Sequence, residues 1–333
     1  MADFCVLKKQ WERYKEHIGL SRKEIEAIIA PIISEQIFSI QLLAEGCANT
    51  NFKINFRKHK PLVLRVYTRE SSSLNRESDL YRLLEHRLPV PQFLFMDASQ
   101  KTIEYPYAIS SYVDGISMRD IVLSGNEKAI RECCLDAGWH LATLSRIKFK
   151  HGGFFEQGLN VRPFQPREEY FTYCMGLLSE AGLQKDLGEE LLEEVQKLIK
   201  DNHDKYLPLA DEANLTHSDY DPSNIKVAEV NGIWKITGIL DWEFAYAGSY
   251  ILDIALMLRY SHKLPPYYEE SFIEGFLCNG GKLSTTWKRS AKLMDIICLL
   301  QLAYHNPREN RPKLNLDVTE LIKYTVDNWG GKF

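Results

Sequence analysis

Leu215-Thr-His-Ser-Asp-Tyr-Asp-Pro-Ser-Asn-Ile-Lys-Val227, and then Gly238-Ile-Leu-Asp-Trp-Glu243, is the stretch whose reading decides the fold. Asp219 and Asn224 are separated by Pro222, which fixes its own φ and disfavours helix at Asp221, so this segment is a stiff loop. Ile225-Lys226-Val227 alternates apolar and polar as a short strand does. Asn231-Gly232 is a hairpin turn signal, and a second strand over about Ile233–Leu240 carries the chain back to Asp241. The hairpin therefore returns Asp241 to the loop that holds Asp219 and Asn224.

Two carboxylates and an amide that converge on one point repel and lose solvation unless something compensates them. Mg²⁺ supplies compensation, because it takes oxygen ligands from one or two carboxylates and from substrate phosphates. On this reading Asn224 and Asp241 are the metal ligands, and Asp219 accepts the proton of an attacking hydroxyl. Taken alone, D-x-x-x-x-N is an ordinary Asx-rich turn; the full string H-x-D-x-x-P-x-N, strand, turn, strand, D-W-E is far more specific.

That string resembles the aminoglycoside phosphotransferase / choline kinase-like family, small-molecule kinases with a protein-kinase-like fold. The family pattern is H-G-D-x-x-P-x-N followed by I-D-W/F-E/D, and the resemblance runs from about residue 36 to about residue 305. Ser218 stands where glycine is usual. A small hydroxyl residue is tolerated there unless the position needs a positive φ.

The resemblance implies roles for residues upstream. Ser39–Ala44, Asn51–Arg57 and Leu62–Tyr67 read as three antiparallel strands. The turn between the first two, Glu45-Gly46-Cys47-Ala48-Asn49-Thr50, corresponds to the loop that covers nucleotide phosphates, so Gly46 and Asn49 become nucleotide-binding candidates; Asn49 and Thr50 either support the turn or offer polar contacts. Arg65, in Val-Leu-Arg-Val, takes the place of the phosphate-binding cation, with a planar fork suited to phosphate oxygens. Glu77, in an amphipathic helix over 74–87, is its partner, with Glu85 as the competing candidate. After strands at about Gln92–Met96 and Tyr107–Val113, the crossing to the second lobe places Ser111 and Val113 against adenine through their backbone.

The rest of the chain reads as mostly helical. Residues 8–34 form N-terminal helices, with Ser21 and Glu24 spaced as a capping box. A buried helix spans 127–147, a long loop 148–166, and helices 168–181 and 187–203 follow. Gly248 suits a tight turn before a helix to about Tyr260, in which Asp253 braces the catalytic loop. His217 packs under that loop. Helices at 267–277, 284–304 and 316–328 complete the chain.

The fold expected is α+β and bilobal, protein-kinase-like. Residues 1–113 form an N-terminal lobe with a five-stranded antiparallel sheet, and residues 114–333 a mainly helical C-terminal lobe with the catalytic loop and acceptor site. The function the resemblance implies is ATP- and Mg²⁺-dependent phosphorylation of a hydroxyl on a small molecule, aminoglycoside-like or another amino-cation or sugar-like acceptor. A choline-, thiamine- or homoserine-type kinase and a catalytically inactive nucleotide-binding regulator are the alternatives. Asp221, Glu243, Glu269 and Glu270 are candidates for the acceptor pocket.

Composition narrows the partners. The 333 residues carry 45% apolar and 26% charged side chains and a net charge of −4, values of a globular protein with no pull toward nucleic acid. The seven cysteines show no framework or zinc spacing and read as reduced thiols of a cytoplasmic protein. No apolar run is long enough for a membrane span. Oligomeric state is left open.

Overall fold

A computed structural model describes residues 7–13, 16–43, 49–68, 71–209 and 212–331. Its first helix, α1 (Arg22–Ile29), starts where the capping box placed it. The Ser21 side chain accepts the Glu24 N–H and the Glu24 carboxylate accepts the Ser21 N–H at 2.7 Å, which satisfies two of the amides that a helix start leaves unpaired. Ile25, Ile28 and Ile29 are buried. The helix ends before Pro31, which has no N–H to continue the ladder. The helix expected over 8–34 is therefore confined to its centre: residues 8–13 and 16–20 are turn or irregular backbone. The polar Lys8–His17 segment has no apolar stripe to lay on a core, and its side chains make the long-range contacts described below.

The five strands β1 (Ser39–Leu43), β2 (Thr50–Asn55), β3 (Leu62–Val66), β4 (Phe93–Asp97) and β5 (Tyr107–Ser111) form one antiparallel sheet in the order β1-β2-β3-β5-β4. Period-two alternation aims its side chains. Leu62, Leu64 and Val66 of β3 are buried with Phe52 and Ile54 of β2 against α1. Arg65, between them in sequence, consequently points to the other face, where α2 (Ser71–Leu84) lies.

The second lobe begins with β6 (Ile116–Ser117), α3 (Met118–Ser124) and α4 (Glu127–Leu144). Residues 148–166, expected as loop, include a small hairpin, β7 (Gly153–Phe155) and β8 (Val161–Pro163). These strands are too short to show period two in the sequence. Helices α5 (Pro166–Leu178), α6 (Ala181–Leu187) and α7 (Glu189–Tyr206) follow. Then β9 (Asn214–Thr216) leads into the catalytic loop, and β10 (Ile225–Val230) and β11 (Ile233–Ile239) form the expected hairpin. Both turn residues have positive φ, Asn231 at 54° and Gly232 at 80°, as a two-residue turn matched to strand twist requires.

Gly248 belongs to β12 (Tyr246–Gly248), paired with β9, and not to a turn. Helix α8 (Ile251–Met257) is shorter than expected. Helices α9 (Pro266–Cys278), α10 (Trp287–His305) and α11 (Pro312–Asn328) complete the lobe. The close crossing of α4 and α9 depends on two glycines. A Cβ on Gly138 would stand 2.0 Å from the Phe272 carbonyl oxygen, and one on Gly275 1.9 Å from that of Leu135, so each helix backbone rests directly on the other. Among the described residues, no helix is long and apolar enough to cross a membrane.

Candidate active site

The catalytic loop, residues 217–224, is held from behind by buried groups. Asp253 on α8 accepts the N–H groups of His217 and Ser218, both at 2.8 Å. Burial pushes its carboxyl up to about 7, against the pull of those two N–H groups. His217 is fully buried. Its Nε2 lies 2.8 Å from the Leu240 carbonyl, and its Nδ1 accepts the Asp219 N–H at 3.2 Å. That pairing fixes a neutral imidazole protonated on Nε2, and burial lowers the ring's pKa in agreement. His217 thus orients the loop, as the sequence suggested. The Tyr220 hydroxyl ties the loop to α4 by donating to the Ala137 carbonyl at 2.8 Å.

Ser218 has a φ of +66°. This is the left-handed region in which a side chain clashes with backbone and glycine does not. The condition under which serine is not a neutral replacement is therefore met. The bond from its N–H to Asp253 holds the turn in that conformation.

Asp219, Asn224 and Asp241 come together. Asn224 Nδ2 donates to the Asp219 carboxylate at 2.7 Å and to the Asp219 carbonyl at 2.9 Å. The Leu240 N–H donates to the Asn224 carbonyl at 2.9 Å, locking the end of β11 to the loop. Asp241 follows directly, with a φ of +64°, a conformation that aspartate tolerates better than most residues.

From the N-terminal lobe, Arg65 reaches into the same space. Its Nη1 is paired with Asp241, its Nε lies 3.7 Å from Glu77 and its Nη2 3.8 Å from Glu243. Glu77 is fully buried, and accepts from the Tyr67 hydroxyl and, at 3.4 Å, from the Tyr81 hydroxyl. Burial raises its carboxyl pKa even beside Arg65. Burial opposes the Arg65 charge, but Asp241 and Glu77 outweigh it and hold the guanidinium protonated. Burial raises the Asp241 carboxyl too, and Arg65 reverses that to a net lowering.

The other nucleotide candidates fall differently. Asn49 is buried; its amide donates to Glu243 at 3.2 Å and its carbonyl accepts the Thr68 N–H at 3.3 Å. It braces one lobe against the other. The Ser111 N–H is spent on the Gln92 carbonyl at 2.9 Å, and its hydroxyl accepts the Gln92 N–H at 2.8 Å. The Ser111 N–H and hydroxyl are thus taken up at the sheet edge by Gln92. Val113 packs where a Cβ on Gly238 would come within 2.6 Å of it, against β11. Gly46 lies outside the described residues. Among the acceptor candidates, Glu269 pairs with Lys288 at 2.6 Å and Glu270 is exposed. Asp221 is buried inside the loop, accepting the Ser223 N–H at 2.7 Å.

Two cations were missed. Lys8 pairs with Asp219 at 3.0 Å and also with Asp221. Arg76 Nη2 donates to the Glu243 carbonyl at 2.6 Å. Arg76 stands next to Glu77 in the amphipathic helix, which was a usable signal. Lys8 lies in a polar segment more than two hundred residues from its partners, and nothing local marks it. The expectation that Asn224 and Asp241 lack partners other than a metal is corrected by the bonds from Asn224 to Asp219 and from Arg65 to Asp241.

The donor set nevertheless fits Mg²⁺. Because Asn224 Nδ2 is committed to Asp219, its Oδ1 is the end left for a cation, and Asp241 adds a carboxylate oxygen. Both are hard donors, and two protein ligands completed by phosphate and water is the usual Mg²⁺ arrangement. Among the described residues no group of three His, Cys, Asp or Glu side chains is placed to hold a metal.

A strand-borne arginine backed by a buried glutamate, facing an Asp–Asn loop and a second aspartate across a cleft between two lobes, is the layout of a kinase that acts on small molecules. The chain belongs to the phosphotransferase enzyme family, whose model matches residues 39–291, and it is a small-molecule kinase. It is similar in fold to the aminoglycoside phosphotransferase APH(4)-Ia, at 15% identity and a TM-score of 0.69 over 93% of this chain and 100% of that one. A GDP and kanamycin complex of an APH(2") enzyme matches at 16% identity and a TM-score of 0.70, covering 92% and 99%. A streptomycin–ATP–APH(2")-IIa ternary complex matches at 19% and 0.59, covering 92% and 97%. A search of curated proteins gives no significant match.

Proposed function

We propose that this protein transfers the γ-phosphoryl group of ATP to a hydroxyl of a small, amine-bearing acceptor. The observation that carries the reading is the placement of Asp219. Its carboxylate is fixed by Asn224 on one side and faces a cationic group, the Lys8 ammonium, on the other. An acceptor hydroxyl placed against Asp219 is oriented for attack and loses its proton to the carboxylate as the new O–P bond forms. Arg65, steadied by Glu77, holds phosphate oxygens. Asn224 and Asp241 would hold Mg²⁺, which would neutralise charge at the phosphates. The chain's own contribution is positioning and electrostatics, as is general for phosphoryl transfer.

Two observations support an amine-bearing acceptor. The loop already binds an ammonium between Asp219 and Asp221, and solved structures of similar fold hold kanamycin or streptomycin. ADP- and AMP-PNP-bound complexes among those structures support an adenine nucleotide as donor.

The test is a screen for nucleotide-dependent phosphorylation across aminoglycosides, amino alcohols and nucleosides, with ATP and GTP as donors and mass spectrometry of the product. A phosphorylated, amine-bearing alcohol formed in step with ADP is the expected result. Tight MgATP binding with no acceptor phosphorylated contradicts it and favours the inactive regulator.

A further inference from the structure

We propose that residues 7–13 form a strap across the acceptor side of the catalytic loop, and that Lys8 is a specificity-determining residue whose ammonium occupies the acceptor's place until an acceptor displaces it. The inference rests on Asp219 being the base.

Both oxygens of the Asp219 carboxylate are engaged. Oδ2 takes the Asn224 amide at 2.7 Å and Oδ1 the Lys8 ammonium at 3.0 Å. Asn224 is locked into the loop through Leu240. A hydroxyl that approaches Oδ1 therefore meets the Lys8 ammonium in its place.

What has to leave is the Lys8 side chain; the strap itself is anchored by Leu7, buried in the core of the second lobe, and by Trp11, packed against that core. Its contacts to the rest of the protein run through side chains. Trp11 Nε1 donates to Asp317 at 2.9 Å, Glu12 accepts the N–H groups of Lys313 and Leu314 at 2.9 and 3.2 Å, and Arg13 donates to the Asn49 carbonyl at 2.9 Å. The Trp11 N–H donates to the Lys8 carbonyl within the strap. Leu7 and Lys8 both have left-handed φ, 55° and 60°. That conformation is unfavourable outside glycine, which offsets part of what the ion pairs contribute.

Displacement selects the incomer. Withdrawing Lys8 leaves Asp221, buried beside Asp219, without its cation, and an uncompensated buried carboxylate is costly. An alcohol that carries its own ammonium replaces that charge; water does not. The strap thus suppresses the wasteful reaction in which a water oxygen bonds to the γ-phosphorus, the bond to the bridging oxygen breaks, ADP leaves with its electrons, and Asp219 takes the water proton.

The test uses the full-length protein with MgATP and no acceptor. Lys8→Met is expected to raise ATP hydrolysis about tenfold, the effect of removing a barrier the size of one partly buried ion pair. Lys9→Met, at an exposed neighbour, is expected to leave it unchanged. Ethylammonium chloride should suppress the gain in Lys8→Met, and adding Asp219→Asn should abolish it. Hydrolysis by Lys8→Met at or below the parent rate overturns the strap while leaving Asp219 untouched. A gain that survives Asp219→Asn overturns the assignment of the base, and the proposal with it.

Discussion

Arg65 and Lys8 are two cations that reach the same acidic site from opposite sides, and they are held in opposite ways. Arg65 is fixed at both ends. Its backbone is a central rung of the sheet, paired with Asn51 and Ala108, and its guanidinium is backed by a glutamate with no exposure at all. Lys8 sits on irregular backbone tied down by the side chains around it. On the proposed reading, the group that meets phosphates is built into the scaffold and the group that gives way to the acceptor is not. That reading gives the site a rigid nucleotide side, with Asp241, and a yielding acceptor side, with Asp219.

The sharpest way to separate the two sides is Asp219→Asn. It keeps the shape but loses the charge and most of the basicity. General-base assistance contributes roughly 10²–10⁴ in rate, so transfer to the acceptor should fall by about that factor, while MgATP affinity measured by calorimetry stays within about twofold. A matched loss of nucleotide affinity would place Asp219 on the nucleotide side and break the comparison.

Arg65→Ala attacks the other side. Loss of charge-assisted bonds to phosphate, about 1.5–3 kcal/mol, should weaken nucleotide binding on the order of tenfold to a hundredfold. It also strands Glu77 without its cation in the core, so denaturation should show a less stable protein as well. Arg65→Lys should recover part of both, since it keeps the charge and loses the fork. Unchanged ATP affinity in Arg65→Ala would mean that Arg65 serves the fold alone.

Asp253 supports both sides, and its signature is a pH dependence. Its folded carboxyl titrates at about 7, above the ordinary 3.8. Between those values the folded protein holds a proton that the unfolded chain has released. The associated stability is complete below the lower value and is lost as pH rises through the upper one. Asp253→Asn should therefore flatten the fall in melting temperature between acid and neutral pH and, by freeing one of the two N–H groups it holds, slow transfer about tenfold. A parallel pair of pH curves for parent and variant would refute the assignment.

The smallest effect is expected at Ser218→Gly. Relief of the left-handed strain, roughly 1–2 kcal/mol, is partly offset by the extra freedom glycine has when unfolded. The variant should be more stable by up to about 1 kcal/mol in urea, with transfer little changed. Destabilisation would mean that the serine hydroxyl contributes more than its backbone costs.

The same contrast explains what could be read from the chain. The nucleotide side was legible because regular structure carries it. The resemblance singled out Arg65 in the Val-Leu-Arg-Val strand, the Asn231-Gly232 turn returned Asp241 to the loop, and the capping box at Ser21 marked the start of α1. Ser111 shows the limit of that legibility: strand pairing claims its N–H, and pairing partners such as Gln92 are set by tertiary register. The acceptor side was not legible, because irregular backbone has no period. Residues 8–13 fell within the helix expected over 8–34, but they are turn or irregular backbone whose Lys8, Trp11 and Arg13 side chains bond Asp219, Asp317 and Asn49, all distant in sequence. Gly138 and Gly275 escaped notice for a related reason. A glycine inside a helix is informative only once the facing helix is known.

The most direct measurement is a crystal structure with AMP-PNP and Mg²⁺. The account predicts the cation between Asn224 Oδ1 and the Asp241 carboxylate, with the Arg65 guanidinium moved from Asp241 onto phosphate oxygens and Asp219 off the metal. A nucleotide whose metal lies more than one ligand shell from both Asn224 and Asp241, with Arg65 still paired to Asp241, would contradict it.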